Sequence, residues 1–304
     1  MKFGFVSLIG RPNAGKSTLL NRLVGAKVAI VSDKPQTTRT RILGVQNSPD
    51  AQIVFLDTPG IHRPLHRMNV RMVDAAVDTI REVDVVCVVV DVTEPPGKGD
   101  RFVLDLLKNA PAPVFLVVNK IDLVKKTRLL PILQAYGELG QFAEIIPVSA
   151  ATGDNIDRLV RVLIDRLPEG EPRYPADYLT DQPERLFAGE IVREKLLQFT
   201  HAELPFSCAV VIDRFEEPEP GQTLLKLYCT IVVDRASQKP IVVGRGGEMV
   251  KKIGTAARED LERFFGLRVF LDLHVRVKTE WRENDQVLDA IGLGRPEDGE
   301  GPSD

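Results

Sequence analysis

Cysteine and histidine are scarce in this chain of 304 residues, with three and four copies respectively. The three cysteines are far apart in the sequence, at Cys87, Cys208 and Cys229. They form no CxxC pair and no Cys/His cluster with the spacing of a metal site. We therefore expect three buried, reduced thiols and no metal centre or disulfide framework built on cysteine.

Long apolar runs are also missing. No stretch approaches the ~18 apolar residues that a membrane-spanning helix needs, and the N-terminus lacks the charged-then-apolar pattern of a signal peptide. The apolar content of 43% is nevertheless ordinary for a globular protein, and the length suits two domains. The sequence predicts a cytoplasmic, folded, two-domain protein.

Charge is nearly balanced over the whole chain, at -3, but it is unevenly distributed. Residues 235–278 contain ten Lys or Arg and five Asp or Glu, a local charge of +5. Residues 291–304 contain one Arg and four acidic residues. Since a phosphate-binding face depends on local charge, the region 235–278 is the candidate for nucleic-acid binding.

The first half of the chain alternates short apolar runs with amphipathic stretches. The predicted strands are 2–10, 53–57, 84–92, 114–119 and 145–148, and a last helix is predicted over 154–167. Continuous apolar runs such as VVCVVV suit strands that are buried on both faces. This pattern favours an α/β fold with a mostly parallel sheet covered by helices.

The second half has a different organisation. Residues 168–183 contain four prolines, show no periodicity and are predicted to be a linker. A helix (184–200), two strands (206–216 and 222–234), an IVVG segment, a helix (248–265) and an alternating strand follow. In that strand Leu271, Leu273, Val275 and Val277 share one face, which predicts a half-exposed sheet backed by helices. The predicted domains are therefore 1–167, 184–290 and an acidic disordered tail, 291–304.

A glycine-rich segment follows the first predicted strand and opens a helical stretch. Its residues are Gly10, Arg11, Pro12, Asn13, Ala14, Gly15, Lys16, Ser17 and Thr18. The match to GxxxxGKS in this context predicts a phosphate-binding loop, in which backbone N–H groups and Lys16 meet phosphate oxygens. The hydroxyl of Ser17 is a candidate ligand for Mg²⁺.

A second candidate segment follows another buried strand. Asp57, Thr58, Pro59 and Gly60 end the second predicted strand, which places a carboxylate for Mg²⁺ and a backbone N–H for the terminal phosphate at this position. The next residue, Ile61, cannot orient a water molecule as glutamine does in many small GTPases. Hydrolysis of the bound nucleotide, when no other protein assists, is therefore expected to be slow. His62 and His66 are predicted to be solvated loop residues rather than general bases for hydrolysis.

Base recognition is predicted from Asn119, Lys120 and Asp122, in an NKID segment, together with Ser149 and Ala150. A carboxylate at Asp122 accepts from N1–H and the N2 amine of guanine, donors that adenine does not present there. The predicted nucleotides are therefore GTP and GDP. Between the first helix and Asp57 lies a polar loop with Thr37 and Thr38, either of which could close over Mg²⁺ and the terminal phosphate.

An RNA-binding module is predicted in the second half. A GxxG segment stands between two helical stretches, and basic side chains accompany it: Gly244, Arg245, Gly246, Gly247, Lys251 and Lys252. Such a loop lets the backbone approach a single-stranded sugar–phosphate chain closely, which is typical of KH modules. The α-β-β-α-α-β order is that of a type II KH fold. Trp281, the only tryptophan, is read as a packing anchor rather than a base-stacking residue.

The combination of QTTR, DTPG with an apolar residue after it, NKID and a terminal KH module resembles the Era family of bacterial ribosome-assembly GTPases over about residues 1–290. The resemblance implies a P-loop NTPase G domain followed by an α+β type II KH domain. It implies catalytic roles for Lys16, Thr38 and Gly60, and Mg²⁺ held by Ser17, Thr38 and Asp57. Relatives with an asparagine at the position of Asn13 suggest K⁺ near the phosphates.

The resemblance also implies partners: the 3′ end of 16S rRNA and the 30S subunit during small-subunit maturation, with peripheral contact to the inner membrane surface as a further expectation. Two other interpretations of the function stay open at this point. One is an RNA-binding scaffold whose nucleotide site is only structural. The other is a GTPase of transfer-RNA modification, although this chain lacks the terminal catalytic cysteines of that group.

Overall fold

The computed structural model describes residues 1–34, 36–61, 67–201, 204 and 207–294. Predictions for His62 and His66 and for the tail from residue 295 lie outside these residues. Contacts divide the described chain into two compact units, residues 1–61 with 72–182 and residues 67–71 with 183–294. No helix in the described part is both long and apolar enough to span a membrane. The domain boundaries inferred from the sequence stay predictions.

Six strands form the sheet of the first unit, in the order β2-β3-β1-β4-β5-β6. They are β1 (Lys2–Ile9), β2 (Ile42–Asn47), β3 (Ala51–Asp57), β4 (Val85–Asp91), β5 (Val114–Asn119) and β6 (Glu144–Pro147). All neighbours pair in parallel except β2 with β3. The predicted mostly parallel sheet is confirmed. The sequence prediction lacks β2, whose short apolar stretch directly follows a polar loop.

In the described part of the chain, five helices flank this sheet: α1 (Lys16–Val24), α2 (Arg67–Arg81, which belongs to this unit from residue 72 on), α3 (Lys98–Leu106), α4 (Lys126–Gly137) and α5 (Ile156–Arg166). Alternate residues of each strand face opposite sides. Leu8 belongs to the core under α1 and α5, whereas Ile9 belongs to the core under α2, α3 and α4. Both cores are apolar, which explains the unbroken hydrophobic runs of the strands.

The parallel strands bring the predicted nucleotide motifs to one edge of the sheet. The glycine-rich loop follows β1, Asp57 ends β3, Asn119 ends β5, and Ser149 comes soon after β6. In open α/β sheets this carboxyl edge is where ligands bind. Segments that are up to 139 residues apart in sequence, Gly10 and Ser149, are therefore neighbours in the fold.

The proline-rich stretch 168–182 lies against the first unit. The buried side chain of Gln52 accepts a hydrogen bond from the backbone N of Tyr174 (3.0 Å) and donates to its carbonyl oxygen (2.8 Å). Further along, the backbone N of Val45 donates to the carbonyl of Leu179 at 2.9 Å. Although its sequence is that of a linker, this stretch is hydrogen-bonded to the sheet at several points.

The second unit follows the predicted α-β-β-α-α-β order. Its elements are α6 (Glu184–Phe199), β7 (Cys208–Glu216), β8 (Leu224–Val233), α7 (Lys239–Val243), α8 (Glu248–Phe265) and β9 (Arg268–Val277), followed by α9 (Asp285–Ala290). Strand β8 is central, antiparallel to β7 and parallel to β9. Leu271, Leu273 and Val275 pack against the helix-covered core, whereas Val277 at the strand end is 40% exposed.

Trp281 and the cysteines occupy core positions. Trp281 is fully buried, and its indole N–H donates to the carbonyl of Ser207 at 3.0 Å. The prediction of a packing anchor is confirmed. Cys87, Cys208 and Cys229 are all buried, reduced thiols, as predicted. Burial raises the pKa of the Cys87 and Cys229 thiols to about 12 in each case, which keeps them protonated.

Candidate functional site

The glycine-rich loop turns tightly between β1 and α1. At Gly10 φ is +156°, and an added Cβ would lie 2.2 Å from the carbonyl oxygen of Val89. At Gly15 φ is +90°, and an added Cβ would lie 2.3 Å from the side-chain nitrogen of Asn119. No larger residue fits at either position, so the backbone of this loop lies directly against two neighbouring strands.

Lys16 is buried, with 6% of its surface exposed. Its Nζ donates to the carbonyl oxygens of Gly10 (3.2 Å) and Arg11 (3.1 Å), so the side chain folds back across the loop. Burial lowers the pKa of Lys16, and the charge of Asp57 opposes that shift. A phosphate in the loop would stabilise the ammonium group by supplying an adjacent negative charge.

Three oxygen-bearing side chains converge at the start of α1. The hydroxyls of Ser17 and Thr38 lie 2.6 Å apart, and Asp57 Oδ2 accepts from Ser17 (2.8 Å) and Thr38 (3.3 Å). Asp57 is fully buried, and its Oδ1 has no hydrogen-bond partner among the described residues. By contrast, the hydroxyl of Thr37 donates to the carbonyl of Lys34 at 2.6 Å, away from this cluster.

This cluster fits a magnesium ion. Hard cations take oxygen ligands, and the free Oδ1 of Asp57 is a buried acceptor of the kind that Mg²⁺ or a water molecule bound to it satisfies. Burial raises the pKa of Asp57 to about 6, while Lys16 and the hydroxyls of Ser17 and Thr38 lower it. A bound cation would favour the ionised carboxylate further.

The loop after β3 packs against the glycine-rich loop. An added Cβ on Gly60 would lie 2.8 Å from Cα of Pro12, and the backbone N of Ile61 donates to the carbonyl of Gly10 at 3.1 Å. The hydroxyl of Thr58 donates to the carbonyl of Leu8 at 2.9 Å, inside the sheet. The side chain of Thr58 therefore braces β1, while Gly60 lies beside the cleft.

Asn119 connects the phosphate end of the cleft to the base end. Its Nδ2 donates to the carbonyl of Ala14 at 2.9 Å, and its Oδ1 accepts from the backbone N of Ala150 at 2.9 Å. Nearby, the hydroxyl of Ser149 donates to Asp122 Oδ1 at 2.6 Å. Asp122 is exposed, so its carboxylate is available to a ligand at the surface of the cleft.

The cleft has a volume of about 430 Å³, and Lys16, Ser17, Thr18, Thr38 and Gly60 contribute to its lining. It is also lined by three acidic residues that the sequence prediction lacks, Asp33, Asp91 and Glu94. Asp91 pairs with Lys120 at 2.5 Å. It ends a buried strand, and that position is a signal that could have identified it.

Arg11 is held by acidic residues from the segment after β4. Its guanidinium pairs with Asp100 at 3.0 Å and with Glu94 at 3.1 Å. Asp100 is buried and also accepts from the backbone N of Gly97 at 2.8 Å. Since Lys16 contacts the carbonyl of Arg11, these ion pairs help to fix the phosphate-binding loop.

A second candidate site lies in the second unit, between α7 and α8. Gly244, Gly246 and Gly247 have φ values of +75°, +60° and +87°. An added Cβ would lie 2.6 Å from the backbone N of Met249 at Gly244, whereas it would meet nothing within 4 Å at Gly246 or Gly247. The last two glycines therefore leave open space over the backbone for a ligand.

The surroundings of this loop suit a phosphate chain. Helix α8 begins directly after Gly247, so its N-terminal N–H groups face the loop. The side chains of Arg245, Lys251 and Lys252 are exposed. Beside the loop is a groove of about 470 Å³, which is lined by Val250, Lys251, Gly254, Thr255, Arg258, Leu271 and Leu273. The groove thus combines apolar side chains with Lys251 and Arg258, and a positively charged groove suits the backbone of a single-stranded nucleic acid.

The fold and the two sites define a class, a P-loop nucleotide-binding domain followed by a KH module. Sequence models of two families match the chain accordingly: "50S ribosome-binding GTPase" over residues 5–120 and "KH domain" over residues 203–282. Two solved structures are similar over nearly the whole chain. One is Era in complex with MgGDPNP and nucleotides 1506–1542 of 16S ribosomal RNA, at 41% identity and TM-score 0.93, covering 97% of this chain and all of that one.

The other is a point variant of Era from Aquifex aeolicus bound to GDP·AlF4⁻, with a TM-score of 0.92, 41% identity and the same coverage. Among curated relatives, GTPase Era of Geotalea daltonii is 54% identical over 95% of this chain and 97% of its own. GTPase Era of Heliobacterium modesticaldum is 47% identical over 96% and 97%. The chain belongs to the Era family of GTPases.

Proposed function

We propose that this protein is a GTP-hydrolysing switch that binds the 3′ end of 16S rRNA and acts in maturation of the 30S subunit. The observation that supports it most directly is the convergence of Ser17, Thr38 and Asp57 beside the buried Lys16. A nucleotide site retained only for structure needs no such cluster. The G domain is assigned to residues 1–167, the linker to 168–183, the KH domain to 184–290 and the tail to 291–304.

In the proposed reaction, the loop from Gly10 to Thr18 holds the phosphates through backbone N–H groups. Lys16, now folded on the loop, turns to the β and γ phosphates and stabilises negative charge that develops during transfer. Gly60, whose backbone lies beside the loop, contributes its N–H to the γ phosphate. When bound at Ser17, Thr38 and Asp57, Mg²⁺ neutralises phosphate charge and orients the leaving group.

Thr38 makes the site sensitive to the nucleotide. Its hydroxyl contacts the Ser17–Asp57 cluster, although its own segment is a loop before β2. A GTP-bound site holds this loop closed, and loss of the γ phosphate releases it, which is the order–disorder transition of GTPase switches. Ile61 is 2% exposed and has no polar group, so it does not position the attacking water.

Base selectivity is assigned to Asp122, supported by Ser149, with Asn119, Lys120 and Ala150 shaping the loop around it. The substitution Asp122→Asn tests this assignment. It should weaken GTP binding and favour xanthosine triphosphate, since xanthine presents an acceptor where guanine presents an amine. Unchanged preference for GTP would contradict the assignment.

K⁺ is proposed near Asn13. The side-chain amide of Asn13 donates to the carbonyl of Asp33 at 2.7 Å, which connects the phosphate-binding loop to the loop that carries Thr38. The side-chain amide of Asn13 and the carbonyl of Asp33 therefore lie together next to the phosphate-binding loop. Turnover measured in K⁺ and Na⁺ buffers of equal ionic strength tests the idea, and equal rates would contradict it.

RNA binding is assigned to Gly244, Arg245, Gly246, Gly247, Lys251 and Lys252. The open backbone at two of the glycines, the exposed basic side chains and the adjacent groove support this assignment. A cytoplasmic location, with peripheral contact to the inner membrane surface, is part of the same proposal and rests on the resemblance of the motifs alone.

The activity is tested by GTP turnover with Mg²⁺ for the intact protein and two variants. Ser17→Ala removes a proposed Mg²⁺ ligand and should lower turnover at least tenfold. Thr37→Ala is the matched control, because the hydroxyl of Thr37 donates to a backbone carbonyl outside the cluster. Equal turnover of both variants and the intact protein would contradict the proposed site.

A further inference from the structure

The three-stranded sheet of the second unit has an outer face, opposite the face that packs under α6 and α8. Leu227 and Leu271 belong to the helix-covered core, so Tyr228 and Phe270, which follow and precede them, lie on the outer face. Phe270 is 47% exposed. Large aromatic side chains are normally mostly buried, so an aromatic pair on an open sheet face calls for an explanation.

Three side chains, one from each strand, contact one another on this face. The guanidinium of Arg214 on β7 lies over the ring of Tyr228 on β8, with its Cζ 4.9 Å from the ring centroid. The ring centroids of Tyr228 and Phe270, on β9, are 5.8 Å apart. We call these three residues the outer aromatic patch. Arg214 and Tyr228 hold one another in place, and Phe270 presents the most exposed ring of the patch.

The outer aromatic patch and the groove beside the GxxG loop share strand β9. In the described part of the second unit β9 is an edge strand, paired with β8 alone. Leu271 and Leu273 line the groove, whereas Phe270 lies on the opposite face of the same strand. A nucleic-acid chain that leaves the groove therefore reaches the patch by crossing a single strand edge.

The charges around the patch suit phosphate groups. Lys226 is directly opposite Phe270 in the strand register, and Arg268 is two residues before Phe270 on the same face. Both side chains are exposed. The acidic neighbour, Glu216, is already paired with Arg214 and Lys226. Aromatic rings on which bases stack, flanked by cations that contact the backbone, are the combination that single-stranded nucleic acid uses on open protein surfaces.

We propose that the outer aromatic patch is a second RNA contact surface, on which a base of the single-stranded RNA held at the GxxG loop stacks after the chain has crossed β9. The inference rests on the proposed RNA-binding function. It assigns bases outside the groove to Phe270, with Tyr228 and Arg214 as its support, and the adjoining phosphates to Lys226 and Arg268.

Two RNAs separate the patch from the groove. Since a KH module holds about four nucleotides, the short RNA is the shortest truncation of the 3′-terminal 16S sequence that the intact protein still binds. The long RNA is the whole single-stranded 3′ end, with 2-aminopurine outside the short segment to report stacking by quenching. The proteins are the intact chain, Phe270→Leu, Phe270→Tyr and Phe264→Leu. Phe264, which is 42% exposed on α8, is the matched control.

We expect the intact protein to bind the long RNA more tightly than the short one. Replacing a stacked aromatic residue with alanine weakens binding by roughly fivefold or more, and leucine retains part of the contact. Phe270→Leu should therefore weaken the long RNA at least threefold, change the short RNA less than twofold and abolish the 2-aminopurine quenching. Phe270→Tyr and Phe264→Leu should match the intact protein.

Unchanged affinity of Phe270→Leu for the long RNA would overturn the inference. Equal weakening of both RNAs would overturn it as well, because a residue that only stabilises the fold does not distinguish them, and so would the same loss in Phe264→Leu. If the intact protein bound both RNAs equally, no contact outside the groove would exist. Failure of the intact protein to bind either RNA would instead contradict the proposed RNA-binding function itself.

Discussion

Two glycines of the second unit allow RNA binding to be separated from folding. Gly247 lies in the proposed RNA loop with φ of +87°, and Gly221 lies before β8 with φ of +86°. At both positions an added Cβ would meet nothing within 4 Å. Gly247→Asp and Gly221→Asp therefore introduce the same charge and nearly the same backbone strain at two different places.

The cost to folding should be nearly equal. A non-glycine residue in the left-handed region costs about 1–2 kcal/mol, with no additional steric clash at either position. At Gly247 a carboxylate about 5 Å from a phosphate adds repulsion of about 0.8 kcal/mol per phosphate in water. Two neighbouring phosphates and the loss of close backbone approach lead us to expect at least a tenfold weaker RNA affinity for Gly247→Asp.

The assay is titration of a fluorescent single-stranded RNA with the 3′-terminal sequence of 16S rRNA, at several salt concentrations. Gly247→Asp should bind weakly and with a shallower dependence on salt, by about 0.7 in logarithmic slope for each phosphate that the variant no longer neutralises. Gly221→Asp should bind as the intact protein does. Equal affinity for the two variants would refute the assignment of RNA binding to this loop, and equal melting temperatures would show that both variants are folded.

Three further predictions concern buried groups. Burial raises the pKa of Asp57 from 3.8 to about 6. Without nucleotide, the stability that this carboxyl contributes is therefore present below pH 3.8 and is lost as pH rises through 6. Carbon NMR of the Asp57 carboxyl should show a titration midpoint near 6, and a midpoint near 4 would contradict this prediction. Trp281→Phe removes the indole N–H that donates to the carbonyl of Ser207. It should lower the free energy of unfolding by about 1–3 kcal/mol in denaturant titrations. An unchanged free energy of unfolding would refute the anchor role. The three buried thiols should react with a thiol reagent only after denaturation, and fast labelling of the native protein would contradict their burial.

Much of the nucleotide site could be predicted because its motifs follow buried strands. Parallel pairing brings the carboxyl ends of β1, β3, β5 and β6 together, so residues that are distant in sequence have their relative positions set by the sheet. The proposed roles of Lys16, Ser17 and Asp57 depend on these strand ends alone. The resemblance of the motifs to one family then supplied Thr38, which lies in an irregular loop.

The interactions that could not be predicted are those between side chains and loops. Arg22 is an ordinary basic residue in an amphipathic helix, and nothing in the sequence indicates that it reaches two carbonyls more than 120 residues away. The ion pair of Arg11 with Asp100 is similar, since an acidic residue in the first turn of a helix reads as a cap.

The hydrogen bonding of the stretch 168–182 could not be predicted from its local sequence pattern either. The stretch has a linker composition, yet the single side chain of Gln52 satisfies both backbone polar groups of Tyr174 and holds it to the sheet. A buried glutamine in a strand is visible in the sequence, but its partner is set only when the chain folds back. Such long-range pairing has no period that a sequence pattern could reveal.

The proposed switch implies that the nucleotide bound to the first unit controls RNA binding by the second. The most direct test of this claim is RNA capture from a cell lysate. The purified protein is loaded with a non-hydrolysable GTP analogue or with GDP, and the captured RNA is sequenced. We expect enrichment of the 3′ end of 16S rRNA only in the GTP-like state. Equal capture with both nucleotides would contradict the switch, and no capture in either state would contradict the assignment of the second unit to RNA binding.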